Sequence, residues 1–325
     1  MTMRRGASFP ILRVFGGALF VLAGILAYFG VGFGASAILL LVVGGVVVLF
    51  AALLGHRAKP IDITVFILGM LVLGAVSIGY APGYQTTSYY ATRDQVHANA
   101  ISIDVSSSTS SISLVFTNRT DFAYQVNFTK PSWGSSFAGS GPDTITNSTM
   151  NGVFHLDVSS TWSSVSMLLG KGYSFDVEAT TGTGSIDMQA PGVALGNVTL
   201  HSSTGSVNAL IDSPAMQSLE LQADTGSVNL VSHILGAAGP SVPVTLTTST
   251  GSVSVSLSIA SQDAVSLTAT TSLGSVSHDL RGFTVNQSTN TNLIATAGDV
   301  QAAPRSFVIT AVASLGSVNL DIGFV

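Results

Sequence analysis

A short block of sequence recurs along the second half of this chain, and it constrains the fold more than any other feature. Gly184-Ser185-Ile186, Gly205-Ser206-Val207, Gly226-Ser227-Val228, Gly251-Ser252-Val253, Gly274-Ser275-Val276 and Gly316-Ser317-Val318 are copies, and Gly298-Asp299-Val300 reads as a degenerate one. Successive glycines lie 21, 21, 25, 23, 24 and 18 residues apart. Repetition at such a period marks a stack of small supersecondary units. Ser110-Ser111-Ile112 and Ser163-Ser164-Val165 keep the pattern without the glycine.

The flanks of each block are regular too. Alternating apolar residues precede it, as in Phe175, Val177, Ala179 or Leu219, Leu221, Ala223, and a short segment such as Val228-Asn229-Leu230 follows. Period-two alternation rich in β-branched residues indicates half-buried strands. The glycine supplies a bend between the two strands that a side chain would hinder. Pro191-Gly192, Ser213-Pro214 and Gly239-Pro240 read as the turns that close units. One unit cannot bury its apolar face alone, whereas a stack can. The expectation is an all-β repeat ectodomain, a β-solenoid-like stack with one repeat per rung and Ser, Thr and Asn ladders facing water. A β-sandwich built from the same hairpins is the rival, because periodicity does not order the strands.

The first third has a different chemistry. From Val14 to Leu54 no residue is charged at neutral pH, about twice the run that one membrane span requires. Gly30-Val31-Gly32-Phe33-Gly34 breaks it, which gives helices at about 11–30 and 35–54. The polar stretch His56-Arg57-Ala58-Lys59-Pro60 follows, and proline suits the first turn of a third helix, at about 61–80. Residues 1–83 are thus expected to form a three-helix transmembrane anchor. Arg4, Arg5, Arg13, Arg57 and Lys59 hold the N-terminus and the second loop in the cytoplasm by the positive-inside bias. Residues 84–325 then lie outside the cytoplasm, as a membrane-proximal β region (84–174) and the repeat domain proper (175–325). Tyr80, Tyr84, Tyr89 and Tyr90 fall where an interfacial aromatic belt belongs.

Taken together, the Thr-Gly-Ser-Val blocks and alternating strands resemble the adhesin-type surface domains of bacteria and archaea, also called toast-rack domains. Their placement behind a short glycine-rich membrane block is similar to the Lia-type envelope-stress membrane proteins. The resemblance implies a surface location and a β-repeat fold, and it brings no catalytic residues with it.

Composition excludes several functions. Residues 84–325 carry six bases and fifteen acids, so there is no basic footprint for nucleic acid. The absence of cysteine removes disulfides, thiolate nucleophiles and Cys-ligated metals. Asp224-Thr225-Gly226-Ser227 matches an aspartic-protease loop, but that chemistry needs two such aspartates. Other copies carry Gly182, Ser203, Ser249, Ser272 or Ser314 at the same position. The six histidines have no metal-ligand spacing, and no nucleophile elbow or phosphate cradle occurs. No enzyme, cofactor or metal is expected.

The candidate site residues are of two kinds. Asn118, Asn127, Asn147, Asn197 and Asn286 open N-glycosylation sequons. Phe122, Tyr124, Phe128, Trp133 and Phe137 gather where the repeat is broken; they would either contact a sugar or partner, or cap the open end of the stack. Thr245 with Thr247, and Thr268 with Thr270, would suit an ice-binding face only under strict rung-to-rung registry, and the uneven repeat spacing speaks against that. The function expected is a non-enzymatic adhesin or surface interaction protein, held by the lipid bilayer. Its partners would be surface polysaccharide, matrix, another membrane protein or a second copy of itself. The alternative is an envelope-stress sensor whose outer domain binds a ligand or partner.

Overall fold

The computed structural model describes residues 84–131, 142–237, 239–300, 303 and 305–325. The three expected spans lie outside these residues; among the described residues no helix is long and apolar enough to cross a membrane. What is described is all-β, with one turn of 3-10 helix at Arg93–Gln95.

Eight repeats each contribute two strands. In chain order they are β2 (Ala100–Ser107) and β3 (Ile112–Phe116), β6 (Val153–Ser160) and β7 (Ser164–Leu169), then β8 (Ser174–Thr183) and β9 (Ile186–Pro191). Next come β10 (Leu195–Thr204) and β11 (Val207–Met216), β12 (Ser218–Thr225) and β13 (Val228–Ala237), and β14 (Ser241–Thr250) and β15 (Val253–Ile259). The last are β16 (Ala264–Leu273) with β17 (Val276–Leu280), and β20 (Ser306–Leu315) with β21 (Val318–Phe324). The first strand of every pair enters an 11-stranded sheet, sheet B, and the second enters a 10-stranded sheet, sheet A. Successive repeats pair in parallel in both sheets, so each repeat is one rung of a two-sheet stack.

Register holds through the stack. In sheet B, Val198 aligns with Leu219, Leu219 with Val244, Val244 with Ile309 and Ile309 with Leu267. All five are buried, and this inward column and its neighbours form the core. In sheet A, Ile186, Val207, Val228, Val253 and Val318 make the matching column. Aliphatic side chains at one position per rung, stacked on strands spaced about 4.8 Å apart, are what a shared core of this kind requires.

The order of rungs departs from chain order at both ends. The β2–β3 rung lies between β6–β7 and β8–β9, and the β20–β21 rung lies between β14–β15 and β16–β17. Antiparallel strands close the ends: β5 (Thr144–Met150) on β6, β4 (Phe122–Pro131) on β7, β19 (Asn292–Ala297) on β16 and β18 (Thr284–Ser288) on β19. The first strand, β1 (Tyr84–Thr92), flanks β4. These strands cover the parallel ladders, which would otherwise template association, at three of the four sheet ends; among the described residues β17 is the outermost strand at the fourth. Residues 85–130 and 141–325 form one compact unit, and the stack runs through residue 175 without a break.

The repeat glycines sit at the corner between the two sheets. Their φ angles run from +140° to +154°, a region that side chains rarely adopt. A Cβ on Gly205, Gly226, Gly251, Gly316 or Gly274 would overlap the carbonyl oxygen of the glycine on the adjacent rung. Glycine is therefore required twice over, by conformation and by space. The serine after each glycine extends the same spine: Ser185, Ser206 and Ser227 each accept the amide N–H of the next rung's serine through Oγ. Buried hydroxyls add a third column. Thr181, Ser202, Thr248 and Thr271 donate to the carbonyls of Ser110, Gly184, Gly226 and Gly316 at 2.7–2.8 Å. Gly298 does not belong to this spine; it ends β19 with φ +68°, so the degenerate copy at 298–300 is a turn and not a corner. Ser213 and Pro214 lie within β11 and close no turn of their own.

Candidate functional site

Alternation along each strand sends every second side chain to solvent, and register stacks those side chains into ladders. In sheet A one outward ladder runs from Ser113 to Asp187, Asn208, Asn229, Ser254 and Asn319. Asn208 Nδ2 donates to Asp187 Oδ1 and Asn229 Nδ2 to Asn208 Oδ1, both at 2.7 Å. Each amide satisfies the next, so the ladder is ordered before anything binds to it.

Sheet B carries two different outward surfaces. Toward the N-terminal end, Asp157 on β6, Asp104 on β2 and Glu178 on β8 stand side by side in direct register. Thr199 follows on β10 and Glu220 on β12. Like charges directly opposite one another across strands destabilise. Partial burial, then Glu178, then Asp157 push the Asp104 carboxyl above its ordinary value. Asp157 gains one compensating bond, from Thr146 Oγ1 at 3.2 Å. Beside the row, Asp176 Oδ1 accepts from the backbone N–H of Asn197 at 2.7 Å, and Asn197 Oδ1 accepts from Ser218 Oγ at 2.8 Å.

Toward the C-terminal end the same columns hold no charge. Thr245, Thr310 and Thr268 continue the acidic column on β14, β20 and β16. Thr247, Val312 and Thr270 align in the next column. Pro243, Val308 and Ser266 align on one side of these, and Ser249, Ser314 and Ser272 lie at the equivalent positions on the other. The inserted β20 supplies the middle member of every column. Registry is thus strict where the uneven sequence spacing argued against it: the extra residues sit in turns and in the β18–β19 hairpin, outside the ladders.

The residues singled out by sequence fall as follows. Phe122, Tyr124 and Phe128 lie on β4 and are buried, where they seal the N-terminal end of the core. They do not form an outward partner surface. The Tyr124 ring lies 5.9 Å from that of Phe154 across the two sheets, and burial raises the Tyr124 phenol's pKa. Trp133 and Phe137 lie outside the described residues. Among the described residues the exposed aromatics are Tyr84, Tyr89 and Tyr90 on β1 and Trp162 between β6 and β7. Among the sequons, Asn118 occupies an exposed loop after β3, within 3.4 Å of Lys171 Nζ. Asn127, Asn147, Asn197 and Asn286 lie on strands β4, β5, β10 and β18.

The protease-like Asp224 is half exposed, and its pKa is lowered by the Gln222 amide first and by His201 after it. Its repeat-equivalents are one column of corner residues, with no second aspartate opposite. His201 and His278 lie in different sheets, on β10 and β17. Among the described residues no three His, Asp or Glu side chains converge to hold a metal; the acidic row is linear. That row is not legible along the chain, because its members lie 21 to 74 residues apart and only the insertion of β2 between β6 and β8 brings them together.

Neither a protein-family model nor a curated protein matches the chain. Solved structures similar to it include a candidate cell adhesion protein from Clostridium sporogenes, at 13% identity and a TM-score of 0.47, covering 74% of this chain and 100% of that one. A candidate adhesin from Bacteroides fragilis matches at 11% identity and a TM-score of 0.32, covering 74% of this chain and 97% of that one. A candidate lipid-binding protein from Parabacteroides distasonis matches at 11% identity and a TM-score of 0.21, covering 73% and 96%.

Proposed function

We propose that this chain is a non-enzymatic surface interaction protein, anchored in a cell membrane by its first 83 residues and displaying the stack outside the cytoplasm. The observation that carries this reading is the outward faces away from the acidic row, the sheet A ladder and the C-terminal half of sheet B, built mainly from small hydroxyl and amide side chains in register. Such faces are rigid, lightly charged and repetitive. They suit contact with an extended surface such as polysaccharide or matrix better than capture of one small molecule, which takes a concave and mostly apolar site. The anchor rests on the uncharged run Val14–Leu54 and the basic residues around it. Asn118 is the sequon placed best for modification, in an exposed loop.

Protease shaving of intact cells, read by mass spectrometry, tests the display. Peptides from 100–320 released without lysis support it. Protection that persists in spheroplasts contradicts it.

A further inference from the structure

The uncharged half of sheet B is a grid. On β14 the outward pair is Thr245 and Thr247, on β20 Thr310 and Val312, and on β16 Thr268 and Thr270. Register sets Thr245 beside Thr310 and Thr310 beside Thr268; Thr247 stands beside Val312 and Val312 beside Thr270. All six side chains are half-buried and β-branched, and β-branching holds χ1 in few rotamers. Rungs repeat at about 4.8 Å and alternate residues along a strand at about 6.6 Å. The result is a stiff array of methyls and hydroxyls with two fixed repeats, both close to those of the water lattice in ice. Hydroxyls on such an array can bond to lattice water, while the methyls between them fill the gaps.

We propose that this threonine face binds ice. Other occupants fit the chemistry less well. Three strands and four columns cover on the order of 400 Å² at ordinary strand spacings, about half of what one partner contributes to a stable protein interface. A second copy of the chain is therefore disfavoured. No carboxylate or base stands on the grid to select an ion, and the nearest, Glu220, aligns with Thr245 one strand away. One grid binds weakly. Many copies on one membrane bind strongly, because every contact after the first is intramolecular. The proposal rests on surface display for its biological use but not for the binding itself, so its test needs no cell.

The full chain is reconstituted into fluorescent zwitterionic vesicles, and the suspension is frozen slowly from one end. Vesicles carrying the protein should enter the ice at roughly ten times the level of empty vesicles or more. Thr310→Glu, which places a charge at the centre of the grid, should abolish the enrichment, and Thr268→Lys should do the same. Both sites face outward, so the melting curves should match the parent's and separate lost binding from lost folding. Glu178→Gln, on the acidic half, should leave the enrichment unchanged. Exclusion from ice, to the level of empty vesicles, of vesicles shown by flotation to carry the parent protein overturns the proposal. So does equal enrichment of Thr310→Glu, or binding to a neutral glycan surface by vesicles that stay out of the ice.

Discussion

The two halves of sheet B share one scaffold and one set of outward columns, yet their surfaces are opposite in character. In the N-terminal half the central column holds Asp157, Asp104 and Glu178 in adjacent register; in the C-terminal half it holds Thr245, Thr310 and Thr268. Each half is completed by a rung inserted out of chain order. The inward columns are nearly the same throughout, aliphatic and buried. The core therefore says nothing about which surface a rung will display, and core and face are free to vary separately. The corners differ as well. The C-terminal rungs turn on glycine, whereas the β2–β3 corner is a longer loop in which Thr109 and Ser110 bond through their hydroxyls to the carbonyls of Thr161 and Trp162.

That difference in corners gives the largest expected effect. Gly251→Ala puts a methyl into the Gly226 carbonyl at a φ of +143°, and should cost about 3 kcal/mol or more. Ser110→Ala, in the corner without glycine, should stay within about 1 kcal/mol. Urea unfolding monitored by circular dichroism measures both, and equal losses would break the distinction.

A smaller effect belongs to the buried hydroxyl column. Thr248→Val keeps the shape but removes the donor to the Gly226 carbonyl, and should cost about 1–2 kcal/mol. The same column holds Ala223 and Ala313, so two rungs already leave that bond unmade. A loss near zero for Thr248→Val would show that the hydroxyl column contributes nothing beyond packing.

The smallest effect is electrostatic and confined to the acidic half. The Asp104 carboxyl sits above its unfolded value in the folded protein, so the folded state holds that proton more tightly. Acidifying from neutral pH through the carboxylate range should therefore add the Asp104 contribution to stability, against the opposite contribution of the lowered Asp224, and the gain should disappear as pH rises again. Asp104→Asn should stabilise by about 0.5 kcal/mol at pH 7, after allowance for solvent screening, and by nothing once the carboxylates are protonated. Thermal melts across pH check this; a variant less stable than the parent at pH 7 would mean that the row is held by attraction, not strained by repulsion.

Much of this molecule was legible in its sequence. The six full glycine blocks located the corners from Gly184 to Gly316, the degenerate block at Gly298 located none, and the serine blocks at 110 and 163 located two more. Alternation assigned the inward residues. Rung order was not legible, because parallel strands of like composition satisfy one another's backbone equally well in several orders, and spacing along the chain carries no information about neighbours in space. For the same reason the acidic row was invisible. Of the threonine grid, Thr245, Thr247, Thr268 and Thr270 were legible as a pattern, but the uneven spacing hid their registry and the β20 residues Thr310 and Val312 that stand between them. The aromatic segment was legible as either surface or cap, and burial of Phe122, Tyr124 and Phe128 assigns them to the cap.

Rung order is the central claim, and the chain contains no cysteine, so engineered cross-links report on it cleanly. Adjacent strands bring aligned Cα atoms within the range a disulfide spans, and strands two apart do not. Thr247→Cys paired with Val312→Cys should oxidise to an intramolecular disulfide that leaves the fold intact. Thr247→Cys paired with Thr270→Cys should stay reduced. The reverse pattern would place β16 beside β14 in simple chain order, and both the inserted rung and the threonine grid would fall with it.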